Sequence, residues 1–411
     1  MHKSKQLLKY IAVFFSLITF LLFHIFSPAP NCFAQGEKKY SNEISPYVEF
    51  LRNQKTGPVD YVLGLFEKYE VVILCERYHG ETTQYEMIYD IVSDPRFIDK
   101  AGHIFTEIGS SSVAEKTHNF LFSKNLDDAA IKAGALDIYR NLTWFPVWEK
   151  TNFFYFLQKL YRLNATLPDD KKIELHPCDM PIDWSAMTPQ NYKKFHKTLR
   201  DRDKIMADKV IEIVGNLNKS GAARKKALVI MNYRHAFSDR FKLLLTKKQD
   251  NTGRYIFEAF PGKTANVMIN SLALLPGTTD QKTNDTPVQS GKWDAAFEAD
   301  GNRNLGFDFE GSPFGKDYFD YFAFFPHFCS YSTVFNGFVF YKPLSEHKQM
   351  TGVPGLLDDG YDRIIADRFI ICGSTTAETL LYVYEFKFAG VREFGYGKMA
   401  EHEKAIKKWL K

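Results

Sequence analysis

Four short apolar runs, each ending at polar residues and each parted from the next by a helical periodicity, constrain this chain more than any other feature. Val71-Val72-Ile73-Leu74-Cys75 is rich in β-branched residues and has the pattern of a strand buried on both faces. His103-Ile104-Phe105-Thr106 leads to Glu107, Lys172-Ile173-Glu174-Leu175 leads to Cys178 and Asp179, and Ala227–Met231 leads to Asn232 and on to His235. Between the runs, apolar residues recur at helical spacing over Thr82–Ile91, Val113–Leu121, Trp148–Leu163 and Arg202–Leu217. Ile44–Arg52 and Val59–Tyr69 are amphipathic too, the second opened by Pro58. This alternation predicts an α/β fold, a mostly parallel central sheet flanked by helices, with a helical insertion region. Later elements are a strand at Gly337–Tyr341, a last strand at Arg368–Cys372 and a basic helix at Met399–Lys411.

Ahead of this core, Lys3, Lys5 and Lys9 precede an apolar run from Ile11 to Phe26, then Ser27-Pro28-Ala29-Pro30 and Cys32-Phe33-Ala34-Gln35. The order predicts a secretory signal peptide over residues 1–34, cut after Ala34, and export to the periplasm or the medium. An uncleaved membrane anchor is the alternative, since the run approaches the roughly 20 residues that span a bilayer. Residues 35–411 then form a single domain with no stable membrane insertion after cleavage. Within it, 275–304 is polar and rich in Gly, Thr, Asp and Asn, a surface loop or a lid. Four of the five cysteines remain, Cys75, Cys178, Cys329 and Cys372; export permits disulfides, and Cys75 with Cys178 is the candidate pair.

The 411 residues carry 53 Lys+Arg against 49 Asp+Glu, and three of those lysines lie in the leader, so no basic field exists for nucleic acid. The expected partner is a small-molecule substrate, bound by a monomer. With 37 Phe and 22 Tyr, large apolar contacts are expected inside the chain or with a ligand.

In an open parallel sheet, ligands bind beyond the carboxyl ends of the strands. Four such ends carry ionisable groups here: Glu76 and His79, Glu107, Asp179, and His235. Burying several charges costs several kcal/mol per ion unless they are paired, so their recurrence at one kind of position points to a site. A buried ionic network of Glu76 and Glu107 with Arg77 or Arg234 is the structural alternative, and Asp179 is equally a cap after Pro177.

Leu74-Cys75-Glu76-Arg77-Tyr78-His79-Gly80 resembles the strand-end Gly-Glu-x-x-His-Gly motif of the erythromycin esterase-like superfamily, which also includes relatives linked to heme uptake. Phe105-Thr106-Glu107 is similar to that family's second acidic strand end. Trp144, Trp148 and the helix ending Tyr161-Arg162-Leu163-Asn164 resemble its next block, and Arg202-Asp203 with Met206-Ala207 its Arg-Asp-x-x-Met-Ala helix. Asn336-Gly337-Phe338-Val339-Phe340 resembles its late strand. The motifs run in order from about Val59 to Tyr341. Cys75 replaces the motif's Gly, and Asn232-Tyr233-Arg234-His235 keeps one of the two histidines of the family's His-Asn-x-His.

The resemblance implies catalytic roles for Glu76, His79, Glu107 and His235, with Asp179, Arg234 and Arg77 binding substrate, and carboxylic ester hydrolysis as the activity. Hydrolysis of an ester or lactone needs an activated water and donors for the oxyanion. His79 is the expected base, oriented by Glu107 or Glu76, while His235 or Arg234 meets the oxyanion. No cofactor is required. Two alternatives stay open: a divalent metal held by the same histidines and carboxylates, and a heme or large apolar ligand bound without catalysis near Tyr318–Tyr341, where Tyr321 and His327 are candidate axial ligands.

Overall fold

All six residues of strand β1 (Val71–Glu76) are buried, and its side chains part to two sides. Val72 and Leu74 join one apolar cluster, Val71, Ile73 and Cys75 the other. A strand apolar on both faces requires cover on both faces. The first cluster is completed by helices α1 (Pro58–Lys68), α2 (Gln84–Ser93), α3 (Ala114–Phe122), α4 (Asp128–Tyr139) and α5 (Phe153–Thr166). The second is completed by Ser45–Arg52 at the start of the chain and by α6 (Arg202–Ser220), α7 (Thr252–Ala259) and α8 (Lys292–Ala299). The computed structural model describes residues 40–148, 150–238, 241–242, 248–249, 251–276, 283–322, 329–381, 393–394 and 397–410. The leader expected over 1–34 and His327 lie outside them.

The sheet has seven strands: β1, β2 (His103–Ser110), β3 (Glu174–Asp179), β4 (Ala227–Asn232), β5 (Thr264–Ile269), β6 (Leu305–Asp308) and β7 (Gly337–Phe340). Their order is β6-β7-β5-β1-β4-β2-β3, and only β6 and β7 pair antiparallel. The chain is therefore an α/β protein with a mostly parallel sheet between helical layers, and β1 to β4 end at one common edge. Among the described residues no helix is long and apolar enough to cross a membrane.

Three expectations are corrected. The stretch 275–304 is not a plain loop: Leu272–Pro276 pairs with Thr283–Pro287 as a hairpin, and α8 buries Trp293, Ala295, Ala296 and Phe297 against the sheet. Arg368–Cys372 belongs mostly to the helix Tyr361–Ile371 rather than to a strand; Ile365 and Arg368 face inward while Ile364 and Ile370 are exposed, a helical and not an alternating pattern. Cys75 and Cys178 lie on β1 and β3 with β4 and β2 between them, about 14 Å at the usual strand spacing, beyond the roughly 7 Å a disulfide allows. All four cysteines are free thiols.

Candidate active site

Local breaks in regular structure bring the acidic and imidazole groups together at the carboxyl edge. Glu76 ends β1 in register with Asn232 at the end of β4. Glu107 lies where β2 slips register against β3 between Thr106 and Ser110. Gly109 in this bulge has φ 118°, and a Cβ there would stand 2.8 Å from Cβ of Pro177. Such a bulge re-aims its side chains, and Glu107 Oε2 accepts the Asn232 N–H at 2.8 Å. Past β4, Tyr233 adopts φ 42°, strained for a bulky side chain. The chain then turns through Tyr233–Ala236 and brings His235 back over Glu107.

The two imidazoles are arranged alike. His79 Nδ1 lies 2.7 Å from Glu76 Oε1, and its Nε2 faces Glu107 Oε1 at 3.8 Å. His235 Nδ1 lies 2.5 Å from Asp203 Oδ1, and its Nε2 faces the same Glu107 oxygen at 3.5 Å. Arg202 joins the two sides. Its Nε and Nη2 hold both oxygens of Asp179 at 2.6 and 3.0 Å, Nη2 also donates to Glu107 Oε1 at 3.0 Å, and Nη1 is 3.2 Å from His235 Nε2. A guanidinium only donates, so His235 Nε2 accepts and the ring proton is assigned to Nδ1, on Asp203.

Charge follows from these contacts. Burial opposes the imidazolium of His79, but Glu76 and then Glu107 outweigh it and raise its pKa above 6.5. Burial likewise opposes ionisation of Glu107, yet His235, Arg202 and His79 hold its pKa at about 2. Asp203 is also buried, and His235 and Arg234 keep its carboxyl well below the usual carboxylate range. Around this core, Tyr85 donates its hydroxyl to Glu76 Oε2 at 3.1 Å, and Trp148 stands edge-to-face on the His79 ring with centroids 4.8 Å apart.

The structure thus gathers Glu76, His79, Glu107 and His235, with Asp179 at the back of Arg202. Arg234 sits at the rim, its Nη1 2.6 Å from Asp203, as an ion-pair partner. Arg77 is corrected: it is wholly buried, bonded to Glu81 and Thr83, to Asn270 and to the Tyr341 carbonyl at 2.5–3.0 Å, and ties β1 to the chain after β5 and β7 without facing the site. Tyr321 is corrected as well. It is fully buried and its ring packs against Tyr233, Phe237, Phe319 and Phe335, as a core side chain does. Arg202, Asp203, Trp148 and Tyr85 are site residues that the expected set leaves out; the Arg202-Asp203 pair and Trp148 of the family-like blocks are the signals that could have found three of them, and Tyr85 has none.

One ligand atom from each of Glu76, His79 and Glu107 lies within 4.8 Å of the others, and the donor types suit zinc, manganese or iron. Against this, Arg202 holds a fixed positive charge 3.0 Å from Glu107 Oε1, and Glu76 is engaged by His79 itself.

No family model and no curated protein sequence matches the chain. Among solved structures, it is similar to a mutant of the erythromycin esterase EreC in its open conformation, at 11% identity and a TM-score of 0.43, over 74% of this chain and 96% of that one. A succinoglycan biosynthesis protein aligns at 11% identity and a TM-score of 0.43, over 74% and 94%. ChaN of Campylobacter jejuni, described with cofacially bound heme, aligns at 12% identity and a TM-score of 0.31, over 57% and 92%. At this level of similarity the residues of the site, and not the neighbours, carry the functional reading.

Proposed function

We propose that the chain is an exported hydrolase of small molecules in which His79 is the general base that directs water at an ester, lactone or related carbonyl. The observation that carries this reading is the bond from His79 Nδ1 to Glu76, which fixes the ring and leaves Nε2 turned into the site beside Glu107. Nε2 takes a proton from water as the oxygen attacks the carbonyl carbon, and Glu76 stabilises the imidazolium that forms. Collapse of the tetrahedral intermediate breaks the bond to the leaving oxygen, which takes the proton back from His79. The products are a carboxylic acid and an alcohol. Because His235 Nε2 is placed as an acceptor, charge on the oxyanion falls to Arg202 rather than to His235.

A screen over ester, lactone and amide panels, with His79→Ala as control, tests this. General-base assistance contributes roughly 10²–10⁴-fold, so the variant should lose at least about a hundredfold in kcat/KM while keeping its fold. Unchanged turnover in His79→Ala with a lowered Tm would assign His79 a structural role. A metal-dependent hydrolase is the second reading, favoured by the close spacing of Glu76, His79 and Glu107; dependence of turnover on added zinc or manganese would select it.

A further inference from the structure

Behind the Glu76–His79 pair, between α2 and α5, lies a cavity of about 250 Å³. Its walls are the rings of Tyr85, Tyr155 and Phe156 with the side chain of Met350, and its polar lining includes Asn152, Glu86 and Lys159. The charges on this lining do not cancel. Glu86 is neutralised by Lys342 at 2.5 Å and also accepts the Tyr341 hydroxyl at 3.3 Å. Lys159 pairs with no carboxylate among the described residues; its Nζ lies 5.1 Å from the centre of the Tyr89 ring. Tyr155 and Lys159 are four residues apart on α5, so the cation and a ring share one helix face.

We propose that this cavity is a second ligand site, separate from the hydrolytic centre, that takes a small carboxylate with an apolar body. The rings and Met350 accept the body by burial of apolar surface, and Lys159 meets the carboxylate at the rim. The site is built into the support of the catalytic pair. Tyr85 spends its hydroxyl on Glu76 and shows the cavity its ring, and the Asn152 N–H bonds the His79 carbonyl at 3.2 Å. An occupant therefore touches the two residues that hold Glu76 and His79 from behind. The proposal does not depend on the hydrolase reading.

Benzoate and its uncharged counterpart benzamide, titrated by calorimetry into the full chain, form the test. Wild type should bind benzoate about fivefold more tightly than benzamide, the worth of one partly exposed ion pair. Lys159→Gln should abolish that preference while leaving benzamide binding unchanged, and His79→Ala should alter neither. Equal affinity of wild type for the two probes, or no binding of benzoate, would overturn the proposal. So would benzoate binding that is lost in His79→Ala and kept in Lys159→Gln, because the probe would then sit in the catalytic centre.

Discussion

Glu107 is the point on which both imidazoles and Arg202 converge, and its energetics are those of a buried ion held by neighbours. Arg202→Met would leave Glu107 and Asp179 without their shared counter-charge, and breaking a buried pair from one side costs roughly 3–5 kcal/mol. Urea denaturation at pH 7 should show a loss of that size; a loss below about 1 kcal/mol, the range of exposed pairs, would mean the network is solvated. Because the folded-state pKa of Glu107 is held down to about 2, its contribution to stability is present above its unfolded value of 4.5 and fades as pH falls through about 2. His79 works in the other direction. Its raised pKa stabilises the fold below 6.5, and that contribution disappears as pH rises through the higher folded value, while the unprotonated base needed for turnover appears over the same interval. NMR titration of the His79 ring should give a midpoint above 6.5 that falls in Glu76→Gln; an unmoved midpoint would remove Glu76 as the orienting group. Arg77 and Glu76 illustrate how far such residues are legible. Both end the same apolar run, but neighbours on an extended chain point to opposite sides, so only one of them faces the site.

Bulge and turn decide where the strand ends aim their side chains. Gly109→Ala would force a Cβ into a positive-φ position against Pro177, at a cost of about 1–3 kcal/mol, and would rotate the bulge that carries Glu107. Reduced turnover together with reduced stability is the expected result, and wild-type kinetics would show that the bulge does not set Glu107. Strands β1 and β4 are readable because their runs are apolar on both faces, and β2 because its run is buried from Ile104 up to Glu107; β3, at the edge of the sheet, starts two residues later than the run from Lys172 and leaves Glu174 and His176 partly exposed. Strand β5 was missed because Asn266 interrupts its run; inside the fold that amide donates to the carbonyls of Ala236 and Val334, both at 2.8 Å, which no local pattern reveals. Arg202 was hidden in another way. Arg202-Asp203 stands out in the sequence only as part of a helix motif, and only the return of β2 and β3 beside α6 gives Arg202 its two acids.

For the whole molecule, the sheet separates Cys75 from Cys178 and leaves four free thiols, and burial pushes the Cys178 thiol up to about 12. If the leader is cut after Ala34 as proposed, taking Cys32 with it, thiol titration of the denatured protein should count four. Five would mean that the leader is retained, and two would mean a disulfide, which between Cys75 and Cys178 this sheet order does not allow. N-terminal sequencing should begin near Gln35. The account stands on one claim above the others: Glu76, His79, Glu107 and His235 form a single hydrolytic centre that needs no metal. The most direct measurement is turnover of a hit from the ester and lactone panel by protein stripped with chelator and verified metal-free by mass spectrometry. The predicted result is full activity that rises with pH through one ionisation above 6.5 and is absent in His79→Ala. Activity lost on stripping and restored by zinc, manganese or cobalt would contradict the claim and make Glu76, His79 and Glu107 the ligands of an ion.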